Sequence, residues 1–414
     1  MKPTRPSLHA GTPRSDRVSS SSGLLRRVLF GSWAFNVAYL LLAVLVPLDA
    51  VRLGLASQTI GLLAAIPGVL QLPARILSGP LTDTWGERTV LLVTFGLAVL
   101  AGLSAMWWPA PVAGLILAQL AIGAARGLFW TAAQAYTSRL SGSRTANLGR
   151  FTSFAKGGAL VGIAAAGPVA TGLGMAPAFA LTATLGLVSA ALAWSLAPLA
   201  RARSGRPLGE ALRLLPGVAR DPVIVFFGMV SMLCALPQAL AQSFFPVWLL
   251  HLGASASEAS LLTALQSLGM IAAGFVATGV MARLGPLRLV WLSGGLLALA
   301  LFGVGLPSWE LSAGGILAAG LAAGWLNVAF LTAVADTSTD ADRGTRLGVT
   351  QIYFVVSMMA TPVLSGVLAG PAGLSRAFAV EGLLVLALLA GLFALRGRLV
   401  PLRAPEAVDA PRQA

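Results

Sequence analysis

Long apolar segments recur along almost the whole chain, and this recurrence is the feature that most restricts the fold. A helix needs roughly 20 apolar residues to cross the hydrocarbon core of a membrane. Segments of about that length occur twelve times, at residues 28–51, 57–82, 89–108, 111–138, 151–173, 176–199, 222–250, 257–282, 288–307, 311–336, 347–370 and 374–395. The sequence therefore predicts an all-α membrane protein with twelve transmembrane helices, numbered below as spans 1 to 12.

Charge alternates between the loops that connect these segments. The terminal segments and the loops on one side hold 23 of the 28 lysine and arginine residues, whereas the opposite loops hold only Arg52 and Arg376. Arg75, Arg126 and Lys156 fall within predicted spans. Because basic loops are retained on the cytoplasmic side, we expect both termini to be cytoplasmic. The formal charge of +14 then reflects orientation, and no nucleic-acid partner is expected.

The composition indicates where such a protein resides. Arginine outnumbers lysine 26 to 2, which suggests a GC-rich bacterial genome and therefore the cytoplasmic (inner) membrane of a bacterium. One cysteine and two histidines exclude a disulfide framework and argue against a metal centre built from these residues. Since carboxylates are also sparse, we expect no enzyme, metal or cofactor.

The chain divides into two related halves. A shift of 199 residues superimposes Pro47 on Pro246, Leu53 and Gly54 on Leu252 and Gly253, and Gly86 on Gly285. We predict a disordered cytoplasmic tail at 1–26, a six-helix half at 27–200, a cytoplasmic linker at 201–221, a second half at 222–396 and a cytoplasmic tail at 397–414. A parallel repeat of six spans is an architecture of secondary transporters, whose binding site lies between the repeats near mid-membrane.

The loop between spans 2 and 3 carries a family resemblance. The stretch from Gly79 to Arg88 resembles the signature loop of the major facilitator superfamily, G-x-L-A-D-R-x-G-R-[RK], and departs from it at Thr82, Thr84 and Glu87. The matching residues are Gly79, Leu81, Asp83, Gly86 and Arg88. The resemblance implies two pseudo-symmetric six-helix halves that rock to give alternating access. It also implies a cytoplasmic gate, with Asp83 latched to the start of span 11 in the outward-open state. The alternative is a plain turn with a solvated carboxylate.

Span 4 carries the most informative polar residues. An arginine inside a span is costly, roughly 2.5–3.5 kcal/mol on insertion scales, so Arg126 must face a wet cavity or an internal partner. The family resemblance implies that span 4 lines a central cavity together with spans 1, 7 and 10. We expect this cavity to be lined by Asn36, Tyr39, Gln119, Arg126, Trp130, Gln134, Gln238, Gln242, Trp325 and Asn327. The alternative is that Arg126 is structural and satisfied within the helix bundle.

Glycine and proline mark two further spans. Gly158 and Gly162 form a G-x-x-x-G pair that permits close helix packing. Gly167 and Pro168 follow in span 5 and loosely resemble a motif of exporters, whereas the related Pro362 in span 11 favours generic kinking and packing. In the antiporter motif of span 4, Gln119 stands where the family has arginine, which weakens the case for proton-antiport chemistry.

Proton coupling needs a titratable group on the transport pathway. Asp49, near the end of span 1, is the best-placed carboxylate in the sequence for this role. The alternative is that Asp49 is a solvated residue at the end of the span, paired with Arg52.

Together these features predict a secondary active transporter that moves a small molecule by alternating access. Efflux of small amphipathic or drug-like compounds is the first expectation, because the predicted cavity is aromatic and span 5 resembles exporters. Uptake or exchange of an organic anion or another polar solute is the alternative that Arg126 suggests. A transport-inactive sensor or scaffold on the same fold is the alternative of another class. We expect a monomer in the lipid bilayer with a small-molecule substrate and H⁺ as the candidate coupling ion.

Overall fold

A computed structural model of the chain describes residues 14–107, 110–141, 143–199, 217, 220–337 and 343–395. These residues are helical apart from short connections. The helices are Arg14–Arg52, Ser57–Trp85, Glu87–Trp107, Pro111–Arg139, Arg144–Leu173, Met175–Trp194, Pro222–Ala241, Phe244–His251, Ala256–Val304, Trp309–Asp336, Arg343–Ala372 and Leu374–Leu395. Twelve stretches within them are long and apolar enough to cross a membrane, so the predicted fold class and number of spans are confirmed.

Three details differ from the sequence prediction. The first helix begins at Arg14, inside the segment 1–26 for which a disordered tail is predicted, and Leu24 and Leu25 pack on the core and extend span 1. Span 7 is two helices that break at Gln242 and Ser243, because Pro246 has no N–H to donate to the Gln242 carbonyl. Spans 8 and 9 are two helices that meet at Gly285, whose backbone is non-helical with a φ of 71°, and no longer loop separates them. Residues 1–13, the 397–414 tail and nearly all of the 201–221 linker lie outside the described residues.

The repeat is visible in the backbone itself. Within the described part of the chain, the residues with clearly positive φ are six glycines, which favour this conformation because they lack a Cβ. They fall into three pairs separated by 199 residues: Gly54 with Gly253, Gly86 with Gly285, and Gly174 with Gly373. Equivalent loops in the two halves therefore turn in the same way.

The halves meet along two pairs of spans. Span 2 packs against span 11, and span 5 packs against span 8. Spans 1 and 7 are the most buried in their halves, and the most apolar stretch of span 1 is 94% buried compared with 33% for span 6. This arrangement puts spans 1 and 7 at the centre of the bundle, where the two halves face each other.

One end of the bundle is closed and the other is open. At the closed end, which carries the loops 53–56 and 252–255, Gly61 packs on the Pro362 carbonyl and Gly366 packs on Ser57. Gly79 lies eighteen residues after Gly61 on span 2, and Gly348 lies eighteen residues before Gly366 on span 11, which is five helical turns along the same face. Both Gly79 and Gly348 have empty space beside them. At the closed end of span 5, Gly167 is likewise packed against span 8. The halves are therefore apart at the end that carries the loop between spans 2 and 3.

Candidate functional site

A cavity lies between the two halves, below the closed end. Spans 1, 4, 5, 7 and 8 line it. Six of the ten side chains predicted from the sequence are among the lining residues: Asn36, Tyr39, Arg126, Trp130, Gln238 and Gln242. The site therefore draws on both repeats, as the parallel duplication predicts for a transporter fold.

Arg126 is held in place by Tyr39. The guanidinium donates a hydrogen bond to the Tyr39 hydroxyl and lies over the Tyr39 ring, 4.7 Å from its centroid. The Tyr39 hydroxyl in turn donates to the Gln242 side-chain oxygen at 2.5 Å. Because Gln242 lies where span 7 breaks, its side chain faces span 1 and this chain of contacts crosses from one half to the other.

Lys156, on span 5, is a second cation in the cavity wall. It has no hydrogen-bond or ion-pair partner among the described residues. Lys156 could have been selected from the sequence by the argument used for Arg126, since it too is a basic residue inside a span.

Gln266 and Ser267 of span 8 also line the cavity, and no signal in the sequence separates them from packing residues. The Gln266 side chain is buried, and its amide nitrogen has no hydrogen-bond partner. The cavity wall thus presents the donors of Arg126, Lys156 and Gln266, and none of its lining residues in the described chain is acidic.

The remaining predicted cavity residues lie elsewhere. Gln119 is 3% exposed and donates to the Leu63 carbonyl of span 2 at 3.0 Å. Gln134 shares the helix face of Arg126 but lies two turns nearer the open end, where it is exposed. On span 10, Asn327 accepts a weak contact from the Cys234 thiol at 3.8 Å and Trp325 packs on the core. Periodicity identified the face of span 4, but depth along the span decides which residues reach the cavity.

Aromatic side chains form the apolar part of the wall. Trp130 packs edge-on against Phe129 and Phe151, with centroid distances of 5.4 and 5.6 Å. Phe35, which also lines the cavity, packs on Phe129 at 4.5 Å. Edge-to-face aromatic contacts of this kind fix ring orientation. The cavity therefore combines a fixed aromatic surface with two cations.

The Gly-Pro pair of span 5 lies at the closed end. Pro168 has no N–H, so the Ala164 carbonyl lacks its helical donor. The Ser260 hydroxyl of span 8 approaches that carbonyl at 3.3 Å, and the Gly167 amide donates to the Ser260 oxygen at 3.0 Å. A methyl group at Gly167 would overlap the Ala256 carbonyl. This pair joins the two halves, and Pro362 takes part in the corresponding contact between spans 2 and 11.

Gly158 and Gly162 pack within the first half. Gly158 lies against the Trp33 carbonyl and Gly162 lies against the Val37 carbonyl and the Leu41 amide, all on span 1. Side chains at these positions would push span 1 away from span 5, so the G-x-x-x-G spacing acts here in helix packing.

The loop between spans 2 and 3 is anchored to its own half. Gly86 has a φ of 86° and ends span 2, and its amide donates to Thr82. Arg88 donates to the Trp194 carbonyl at 2.6 Å and lies over the Trp194 ring. Glu87, which departs from the family motif, forms an ion pair with Arg139 at the end of span 4.

The rest of the predicted gate faces the open end. Asp83 is exposed and has no hydrogen bond or ion pair with the described residues, Leu81 is partly buried, and Gly79 borders empty space. The latch between Asp83 and span 11 stays a prediction for the other conformation.

Asp49 is 4% exposed and bonds to the Arg52 side chain at 2.7 Å. This is the pairing named above as the alternative to a role in proton coupling. In the described part of the chain, no group of three His, Cys, Asp or Glu side chains is arranged to hold a metal ion.

Comparison with known proteins adds to this geometry. The family model described as Major Facilitator Superfamily matches residues 28–253 and 227–413. No curated protein sequence matches the chain.

Solved structures of transporters resemble the fold. A crystal structure of the nucleoside transporter NupG has a TM-score of 0.75 at 15% identity, covering 90% of this chain and 98% of that one. A bacterial homologue of the human lysosomal transporter Spinster, inward-facing and unoccupied, has a TM-score of 0.74 at 14% identity over 96% and 100% of the two chains. A D-xylose-proton symporter has a TM-score of 0.71 at 16% identity over 89% and 96%.

Proposed function

Because this chain belongs to the Major Facilitator Superfamily, we propose that it is a secondary transporter and that its substrate is a small organic anion with an apolar or aromatic part. The observation that carries this proposal is the placement of Arg126 and Lys156 in one cavity wall whose described lining residues include no carboxylate. Two partly buried cations in one cavity wall attract a negative charge, which would offset the cost of removing them from water. The substrate is the group that would supply it.

The aromatic wall supports the apolar part of this substrate. Trp130 and Phe35 give a flat surface beside the cations, and amide groups from Asn36, Gln238 and Gln266 can orient polar substituents. A lipophilic cation, as in many drug-efflux substrates, would meet the charges of Arg126 and Lys156. We therefore favour the organic-anion alternative of the sequence analysis over efflux of drug-like compounds.

We infer alternating access with the described conformation open at the cytoplasmic end. The positive-inside distribution of basic residues supports this orientation, with both termini in the cytoplasm of a bacterium and the closed end outside. The glycine and proline contacts of spans 2, 5, 8 and 11 provide the faces along which the halves would rock. These contacts serve rocking in either direction, so they do not favour export over uptake.

The proposal is tested by ligand-dependent thermal stability of the purified protein. The panel contains benzoate, a dicarboxylate and a sugar phosphate, with benzamide and a lipophilic cation as counterparts. A ligand that binds only the folded state stabilises by about 2.7 kcal/mol at 100 times its Kd. We expect stabilisation by at least one anion and none by its neutral counterpart.

Variants assign that stabilisation to the cavity. Arg126→Ala and Lys156→Gln should each abolish it, whereas Arg150→Gln, which removes an exposed positive charge from span 5, should retain it. Flux of the same anion into proteoliposomes then separates a transporter from a transport-inactive sensor. Equal stabilisation of wild type and Arg126→Ala by the lipophilic cation would contradict the organic-anion proposal.

A further inference from the structure

Glu381 of span 12 is a buried carboxyl group far from any partner charge. It lies about two turns from the start of span 12 at the closed end and is 1% exposed. One carboxyl oxygen contacts the Ser365 hydroxyl of span 11, and the other has no hydrogen-bond partner. A buried carboxylate without a cation is strongly unfavourable, so such a group is stable in its neutral form.

The hydrogen bonds around Ser365 lead to the same conclusion. The Ser365 hydroxyl has one hydrogen, and its oxygen lies 2.8 Å from the Thr361 carbonyl oxygen, which can only accept. Glu381 is on its other side. If Ser365 donates to Thr361, the contact with Glu381 needs a hydrogen from the carboxyl group. A protonated Glu381 supplies that hydrogen to the Ser365 oxygen, and Ser365 in turn donates to Thr361.

No charged side chain in the described chain faces Glu381 from the spans packed against it. Arg346 on span 11 and Asp221 on span 7 are at the open end, as are Arg283 and Arg288 at the start of span 9. On the spans packed against Glu381, the titratable groups at the closed end in the described chain are Arg376 on span 12 and His251 on span 7, and both are exposed. The stretches of spans 9 and 11 beside Glu381 contain only uncharged residues.

Glu381 is connected to the contact that opens and closes the transporter. Ser365 precedes Gly366, which packs on Ser57 of span 2, and the same stretch of span 11 contains Pro362, whose carbonyl packs on Gly61. When spans 2 and 11 separate at the closed end, this stretch of span 11 loses its support. Water can then reach the carboxyl group and stabilise its charged form.

We propose that Glu381 is a proton-binding site that makes the contact between spans 2 and 11 depend on the pH at the closed end, carrying its proton while these spans are in contact and releasing it when they part. The proposal rests on the alternating access proposed above, and it places a proton site at a position different from Asp49. Asp49 has Arg52 as an ion-pair partner, whereas Glu381 has no basic partner among the described residues.

The test compares wild type, Glu381→Gln and Glu310→Gln in proteoliposomes, using the anion identified by thermal stability. Glu310 is an exposed carboxylate at the same end. In wild type and Glu310→Gln, we expect acidification at the closed end to slow anion exchange, because the protonated form of Glu381 favours contact between spans 2 and 11. Exchange by Glu381→Gln should not depend on this pH, because its side chain cannot become charged. The same pH dependence in Glu381→Gln as in wild type would overturn the proposal.

A second measurement does not depend on substrate. Infrared difference spectra of wild type minus Glu381→Gln should contain the carbonyl stretch of a protonated carboxyl group, and this band should disappear as the pH is raised. Ser365→Ala keeps the carboxyl group and should shift the pH at which the band disappears, so it serves if Glu381→Gln does not fold. If wild type transports no anion, the function proposed above is contradicted, and the infrared band still shows whether Glu381 is protonated. Absence of the band at low pH would overturn the proton site.

Discussion

The Tyr39 hydroxyl donates to the Gln242 side-chain oxygen across 2.5 Å and accepts from Arg126 at the same time. Span 1 belongs to one half and span 7 to the other, so a single hydroxyl connects the cation of the cavity to the opposite half. A substrate anion that draws Arg126 toward itself would therefore act on a contact between the halves. Substrate binding and the position of the halves are linked at this residue.

Removal of the Tyr39 hydroxyl tests this link. Tyr39→Phe keeps the ring beneath Arg126 and removes both hydrogen bonds. A hydrogen bond to a charged group contributes about 1.5–3 kcal/mol, so we expect anion affinity to fall roughly ten- to hundredfold in calorimetric titration. Tyr136→Phe removes a buried hydroxyl that donates to the Ala197 carbonyl away from the cavity, and it should leave affinity unchanged. Equal losses in both variants would refute a specific role for Tyr39.

A cysteine pair at the closed end tests the contact between spans 5 and 8. The hydroxyls of Thr171 and Ser257 are 2.9 Å apart. In a Cys234→Ser background, Thr171→Cys with Ser257→Cys should cross-link on oxidation and stop transport, and reduction should restore it. A Gly79→Cys and Gly348→Cys pair, on the facing spans 2 and 11 at the open end where both glycines border empty space, should cross-link far less. Efficient cross-linking of the second pair alone would reverse the assignment of the ends.

Two glycines on one face of span 2 provide a matched comparison. A methyl group at Gly61 would overlap the Pro362 carbonyl, whereas one at Gly79 meets empty space. We expect Gly61→Ala to shift the population toward opening of the closed end, which would increase alkylation of a cysteine placed at Gln58. Gly79→Ala should decrease it or leave it unchanged. Identical labelling of both variants and wild type would contradict the packing described for spans 2 and 11.

The ion pair between Glu87 and Arg139 makes a prediction about stability. Glu87 is buried, so Arg139→Ala leaves a carboxylate without its partner, and breaking such a pair costs about 3–5 kcal/mol. Thermal unfolding should show this loss, and the double exchange Glu87→Arg with Arg139→Glu should recover part of it. Arg150→Ala, on an exposed position, should stay within about 0.5 kcal/mol of wild type. A similarly small effect of Arg139→Ala would show that the pair is not stabilising.

The number of spans and the repeat could be predicted because both depend on local signals. A membrane-spanning helix must be apolar along its whole length, and Gly86 and Gly285 are turn glycines that stand out in an apolar sequence. The cavity could be predicted only in part. Tyr39 and Arg126 are polar groups at mid-span, but Gln119 is equally polar and bonds to span 2 within its own half.

Glu381 shows what sequence alone does not provide. It lies well inside a long apolar segment, as Arg126 does. Its proposed role as a proton-binding site depends on the contact with Ser365 and on the absence of any facing cation among the described residues. These relationships join spans 11 and 12 with spans 7 and 9. They could be read only after the packing of these spans was known.

Glycines and backbone carbonyls meet where span 2 packs on span 11 and span 5 packs on span 8 at the closed end. Because hydrophobic stabilisation grows with the apolar area removed from water, separation of these particular contacts gives up little of it. The two conformations can then be close in free energy, so that neither is favoured overwhelmingly before a ligand binds. A ligand that prefers one conformation by about 5.5 kcal/mol would move such an equilibrium from 1:99 to 99:1. The small residues thus make the transporter responsive to modest binding energies, at the expense of a single rigid resting state.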